Sequence, residues 1–197
     1  MSPAKVIQML LVRCLVMGCF VLTVVAQPAP DEPPKRFEKD GLVFEYEPNW
    51  ELNDQSNAAA QQLVLSEKTL DAQIMVIALR SPVTNDKQEE QAKAALIEPS
   101  ITRLLKQYEI AGIKIERVPL KTEVGGISAD GAQLRFAVDG QPGSTDIFWF
   151  VRNQRLTQLF FIRPEKTAAK TTACWDLVRT TLTIEKPAGK TKQEKKP

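Results

Sequence analysis

Three consecutive strand-like segments within residues 127–164 constrain the fold of this chain more than any other feature. In the first, Leu134, Phe136 and Val138 alternate with other residues, the period of two expected of a half-buried strand. The next two segments are rich in aromatic and β-branched residues, which favour strands. Because short turns separate the three segments, the stretch predicts an antiparallel meander at the centre of a sheet. The second and third strands are predicted at 147–151 and 156–162, and the turns at 139–143 and 152–155.

A long helix is predicted upstream of the meander. Asp86, as the N-cap, and Glu89 three residues later match a helix start, and Gly112 marks the end. Between them, one apolar stripe steps by three and four residues, as the core-facing side of a helix does. The stripe continues past Pro99, which predicts either one kinked helix or two nearly collinear helices. Its members are Ala94, Ile97, Ile101, Leu104 and Tyr108.

Shorter segments complete the predicted elements. The segment 74–79 is apolar on both faces, which is typical of a central strand covered from two sides. A second helix follows the meander, with an apolar stripe that runs from Thr171 to Leu182. The order of three strands, a helix, four strands and a helix predicts an α+β fold, with helices on one or both faces of an antiparallel sheet. The other strands are predicted at 42–46, 63–66 and 113–118.

The two ends of the chain differ from this domain. Residues 1–26 resemble an export signal, with basic residues, then an apolar run, and a small residue, Ala26, at the expected cleavage point. An uncleaved membrane anchor and lipid attachment at Cys19 are the alternatives.

Residues 27–36 contain four prolines and are predicted to form an extended linker. The predicted domain covers 37–185. Residues 186–197 are predicted to be a disordered basic tail, with a weak electrostatic tether to anionic surfaces as the alternative.

The chain contains no histidine, and this absence excludes several kinds of chemistry. Ser-His-Asp and Cys-His nucleophile pairs and His-ligated zinc cannot form without it. After removal of the leader, Cys174 would be the only cysteine, and we interpret it as a buried helical residue. Residues 37–185 carry 17 basic and 21 acidic residues, so we expect no nucleic-acid binding. No catalytic residue, cofactor or metal site is predicted.

The start of the predicted domain has a pattern formed by Asp40, Gly41, Leu42, Phe44, Tyr46, Pro48 and Trp50. This start and the order of elements resemble the PsbP-like superfamily, over about residues 37–184. The resemblance implies an α/β/α sandwich around an antiparallel sheet and a protein that binds other proteins or holds a complex together, without enzymatic activity. The histidine-containing cation sites of photosynthetic members have no counterpart here, so a photosystem role is not implied.

Aromatic residues in the meander suggest a binding surface. If one face of the sheet is open, Trp149 and Phe161 would form an exposed patch bordered by Trp50, as is common at partner sites. If helices cover both faces, these residues belong to the core. We therefore expect a periplasmic or secreted monomer that binds another envelope or secreted protein. It would contact a membrane only through an uncleaved or lipidated leader. The alternative is a carrier of a small hydrophobic ligand or lipid, with an apolar pocket between the long helix and the sheet.

Overall fold

The structure, a computed structural model, describes residues 32–185. The predicted leader (1–26), Cys19, half of the predicted linker (27–31) and the tail (186–197) lie outside the described residues. Cleavage, lipidation and tail disorder therefore stay predictions.

The described residues form ten strands and three helices. The strands are β1 (Lys35–Lys39), β2 (Leu42–Tyr46), β3 (Glu51–Asp54), β4 (Ala60–Glu67), β5 (Ala72–Leu79), β6 (Ile115–Val124), β7 (Ile127–Val138), β8 (Gln141–Arg152), β9 (Arg155–Pro164) and β10 (Thr183–Ile184). The helices are α1 (Asp86–Ala92), α2 (Glu98–Ile110) and α3 (Ala168–Thr181). A π-helical turn (Lys93–Ile97) joins α1 to α2, and a 3-10 turn (Glu165–Thr167) precedes α3.

Seven strands form one fully antiparallel sheet in the order β3-β4-β5-β9-β8-β7-β6. The predicted meander is β7-β8-β9, which confirms that this stretch lies within the sheet. The turn between β8 and β9 contains only Asn153 and Gln154, both with positive φ, as a two-residue hairpin requires. After this turn β9 lies beside β5, so the meander is joined to the earlier strands.

A second sheet contains β1, β2 and β10. Strand β1 begins at Lys35, which pairs with Tyr46, so the last two residues of the predicted linker already belong to the domain. Strand β10 was not predicted, because two residues are too short for a pattern. It pairs with Val43 and Leu42 of β2, directly after α3.

The long predicted helix is a continuous run of α1, the π turn and α2. The π turn ends just before Pro99, which lies in the first turn of α2. Because a proline ring conflicts with the preceding helical turn, a wider turn at this position relieves the conflict without changing the helix direction sharply. The N-cap is Asn85 and not Asp86 as predicted. The Asn85 side-chain oxygen accepts a hydrogen bond from the backbone N–H of Gln88 at 3.0 Å.

Hydrophobic side chains pack on both faces of the seven-stranded sheet. On the face we call the α3 face, strands β4, β5, β8 and β9 pack against α3 and the small sheet. On the opposite face, the α2 face, a smaller cluster joins α2 to β7, β8 and β9; it includes Ile97, Ile101, Leu134, Ile147 and Phe160. The α+β fold with an antiparallel sheet between two helical layers is therefore confirmed.

Candidate functional site

The three aromatic residues of the predicted patch do not share one surface. Phe161 is 1% exposed and stacks on Trp175 of α3, with ring centroids 5.0 Å apart. Trp50 is 2% exposed in the same core. Trp149 is half-buried on the α2 face. The prediction of a single exposed patch is therefore wrong, because two members are core residues and the third faces the other way; partner binding by Trp149 alone stays a prediction.

The two faces of the sheet are covered unequally, and β5 demonstrates this within one strand. On the α3 face its residues Ile74, Val76 and Ala78 are fully buried. On the α2 face, Met75, Ile77 and Leu79 are only half-buried. The α3 face is covered by a helix and a second sheet, whereas the α2 face is covered mainly by one long helix. One helix is about 10 Å wide, too narrow to cover seven strands.

An open groove of about 200 Å³ lies between α2 and β5 on this face. The sheet supplies its floor, and the π turn and α2 supply its wall. Leu96 on the wall is 38% exposed, which is unusual for a large apolar side chain in this molecule. The floor residues are Ile77, Leu79, Leu156 and Gln158, and the wall residues are Ala95, Leu96, Pro99, Ser100 and Arg103.

The charges around the groove are of one sign. Arg103 lines the wall, and no carboxylate does so among the described residues. Arg103 and Lys106, one helical turn further on, are both exposed and form no ion pair within residues 32–185. On the other side of α2, by contrast, Glu98 binds Arg117 at 3.0 Å, which lowers the pKa of the Glu98 carboxyl. The groove therefore offers an apolar floor beside one free cation, Arg103.

A second cavity, of about 320 Å³, lies at the far end of α2. The rings of Tyr108 and Phe136 stack there with centroids 4.8 Å apart, and burial raises the pKa of the Tyr108 phenol. Arg163 also lines this cavity, but its guanidinium already binds Asp146 at 2.9 Å. Lys166 and Asp71 line it as well, so the cavity presents charges of both signs, whereas the groove presents only Arg103.

The described residues contain few groups suited to catalysis. Burial raises the pKa of the Cys174 thiol to about 12, so this thiol stays protonated and unreactive at neutral pH. Within residues 32–185, no three His, Cys, Asp or Glu residues come together as metal ligands would. Neither of the two cavities is lined by a pair of carboxylates. No helix in the described part of the chain is long and apolar enough to span a membrane.

The groove residues were not predicted as a site, although two signals for it exist in the sequence. Leu96 and Ile110 are large apolar residues of the long helix that lie outside its predicted core-facing stripe. Both are exposed in the structure, at 38% and 78%. An apolar residue off the core stripe indicates a second apolar side of a helix, and here Leu96 on that side lines the groove.

No protein-family model and no curated protein matches this sequence. Solved structures are similar to it in fold. Cyanobacterial PsbP (CyanoP) from Synechocystis sp. PCC 6803 is 12% identical, with a TM-score of 0.50, over 86% of this chain and 99% of that chain. The Ran-binding protein Mog1p of Saccharomyces cerevisiae is 10% identical, with a TM-score of 0.44, over 78% and 96%. LpqN, involved in cell envelope biogenesis of Mycobacterium tuberculosis, is 12% identical, with a TM-score of 0.43, over 77% and 89%. The cyanobacterial structure, matched along nearly its whole length, supports the resemblance first noted in the sequence: this chain has a PsbP-like α+β fold.

Proposed function

We propose that this chain is an exported, non-enzymatic module that binds another protein through the groove and the adjoining open part of the α2 face. The observation that carries the proposal is the unequal covering of β5. Its residues on the α3 face are fully buried, whereas Met75, Ile77 and Leu79 on the other face stay half-exposed beside a helix with an exposed Leu96. Contiguous apolar surface of this kind is typical of sites where proteins associate.

The shape of the groove favours a protein over a small ligand. Pockets for drug-sized ligands usually enclose about 300–1,000 Å³ and bury most of the ligand. The groove is open and measures about 200 Å³, so it would leave much of a lipid chain in water. The alternative of a hydrophobic-ligand carrier therefore gains no support from this groove.

Export is proposed from the sequence of residues 1–26. If the leader is removed, the mature chain has Cys174 as its only cysteine, and this residue is buried and forms no disulfide. The mature domain would then depend on its hydrophobic core for stability in an oxidising compartment. The partner we expect is accordingly another protein of the cell envelope or a secreted protein.

Site-specific photo-crosslinking in cells that produce the protein tests this function. A photoreactive amino acid is placed at Ile77 on the floor of the groove, at Leu96 on its wall, and at Thr172, which is exposed on α3. We expect a discrete adduct from the first two positions and none from the third. Adducts that are equally strong at all three positions, or absent from both groove positions, would refute binding through this face.

A further inference from the structure

We propose that the groove binds an amphipathic helix of its partner, with apolar residues along one side and Asp or Glu residues next to them. This inference rests on the proposed function, since it names the chemistry of the partner at the same face. Three features of the groove support it: its width, its apolar floor, and the unpaired Arg103 on its wall.

The width of the open surface suits one helix. Strands β3 and β4 lie at one side of the sheet, beyond β5, whose residues Met75, Ile77 and Leu79 are only partly covered by the α2 cluster. Neighbouring strands are about 4.8 Å apart, so three strands span roughly 10 Å, the diameter of a helix with its side chains. A second helix placed over β5 would lie beside α2 at roughly the 8–10 Å at which helices pack.

Apolar residues line the path of such a helix on two sides. On the floor, Ile77 and Leu79 alternate along β5 and stay half-buried. On the wall, Leu96 lines the groove, and Ile110, which is 78% exposed, is the last residue of α2. Ile110 is seven residues after Arg103, close to two full helical turns, so it projects from the same side of α2. Apolar residues at i, i+3, i+4 and i+7 of the bound helix would cover this path.

The charge on the wall determines what must flank those apolar residues. Arg103 lines the wall, is exposed, forms no ion pair within residues 32–185 and has no carboxylate beside it in the groove. A bound helix with Asp or Glu at its edge would pair with Arg103. A basic helix would meet a like charge, which disfavours binding and gives the groove its specificity.

Peptide selection on the full-length protein tests the inference. Random 16-residue peptides are selected for binding to the wild-type chain and, as controls, to Leu96→Asp and Ile77→Asp variants with native circular dichroism. We expect the peptides enriched on the wild type alone to carry apolar residues at helical spacing with adjacent Asp or Glu. The inference would be overturned if the selected peptides had apolar residues at a period of two or showed no enrichment of Asp or Glu. It would also be overturned if no peptides were enriched on the wild type over the variants.

A charge reversal then tests the role of Arg103. The affinity of one selected peptide is measured for the wild type, for Arg103→Glu, and for Lys170→Glu, an equal charge change at an exposed residue of α3. We expect the peptide to bind Arg103→Glu about fivefold more weakly than the wild type and Lys170→Glu as tightly as the wild type. Replacing the acidic residues of the peptide by lysine should restore its affinity for Arg103→Glu. An equal change in peptide affinity for Arg103→Glu and Lys170→Glu would show that the acidic residues of the peptide do not pair locally with Arg103. Crosslinking at Ile77 together with failed peptide selection would refute the acidic helix and leave the proposed function intact.

Discussion

Arg155 is a buried cation whose partners are neutral oxygens. It is 3% exposed, and its guanidinium donates to the carbonyl oxygens of Leu79, at 3.2 Å, and Asp40, at 3.0 Å, and to the side-chain oxygen of Gln61. Gln61 in turn donates to the carbonyl oxygen of Lys39 at 2.9 Å. These bonds tie the turn between β1 and β2 to the seven-stranded sheet, so one side chain joins the two sheets.

This role could not be inferred from the sequence. Arg155 was predicted as the last residue of a polar turn, because the segment 152–155 is polar throughout. Its burial depends on the turn after β1, more than 110 residues earlier in the chain. Burial also lowers the pKa of Arg155, although a guanidinium stays charged at any physiological pH.

We expect Arg155→Lys to lower the free energy of unfolding by about 2–4 kcal/mol, since an ammonium cannot reach the same set of oxygens and leaves buried acceptors unpaired. The matched control is Arg152→Lys in the same hairpin. Arg152 is half-exposed and donates one hydrogen bond, to Gly125, so its replacement should cost less than about 1 kcal/mol. Urea denaturation measures both values. Equal losses would show that Arg155 does not have the structural role assigned to it.

At the scale of elements, periodicity predicted where strands and helices lie, but not how neighbouring strands are aligned. Trp149 and Phe161 were assigned to one surface on the alternation of each strand taken alone. Alignment across β8 and β9 depends on the turn, and a two-residue turn pairs Asp146 with Phe161. Asp146 and Trp149 are an odd number of residues apart, so Trp149 must point to the other face. The predicted turn at 152–155 is centred on Asn153 and Gln154, so pairing the two strands across it already implies this alignment.

The turn between β6 and β7 contains two adjacent glycines with different surroundings. Both have positive φ, 55° at Gly125 and 80° at Gly126. The Gly125 N–H donates to the carbonyl oxygen of Arg179 at 2.8 Å, which fixes the turn against the end of α3. A Cβ on Gly125 would overlap the carbonyl oxygen of Leu182, whereas a Cβ on Gly126 would meet nothing within 4 Å.

We therefore expect Gly125→Ala to destabilise the protein by about 3 kcal/mol or more, because the turn and α3 must separate to admit the methyl group. Gly126→Ala should cost only about 1 kcal/mol, the usual penalty of a left-handed conformation for alanine. The difference between the thermal midpoints of the two variants measures the effect of the contact itself. If the two midpoints coincide, the close approach of Leu182 has no energetic consequence.

At the scale of the whole molecule, the layered α+β arrangement was predictable, and the unequal covering of the two faces was not. Amphipathic helices and apolar strands in this order leave few arrangements besides a sheet between helical layers. The position of a helix above the sheet depends instead on side-chain packing, here of Ile97 and Ile101 against Ile147 and Phe160. The segment 74–79 looked equally buried on both sides in sequence, since all of its residues are apolar.

Two isoleucines of β5 allow this difference between the faces to be measured directly. Ile74 is fully buried on the α3 face, and Ile77 is half-buried in the groove on the α2 face. We expect Ile74→Asp to lower the free energy of unfolding by more than about 4 kcal/mol and to prevent folding in most conditions, because it buries an unpaired carboxylate. Ile77→Asp should cost roughly 1–2 kcal/mol, since its carboxylate can reach water and lies near Arg103.

Chemical denaturation, with soluble expression as a second measure, compares the two variants. A similar loss in both would mean that the α2 face is as well covered as the α3 face, and the docking surface proposed for it would not exist.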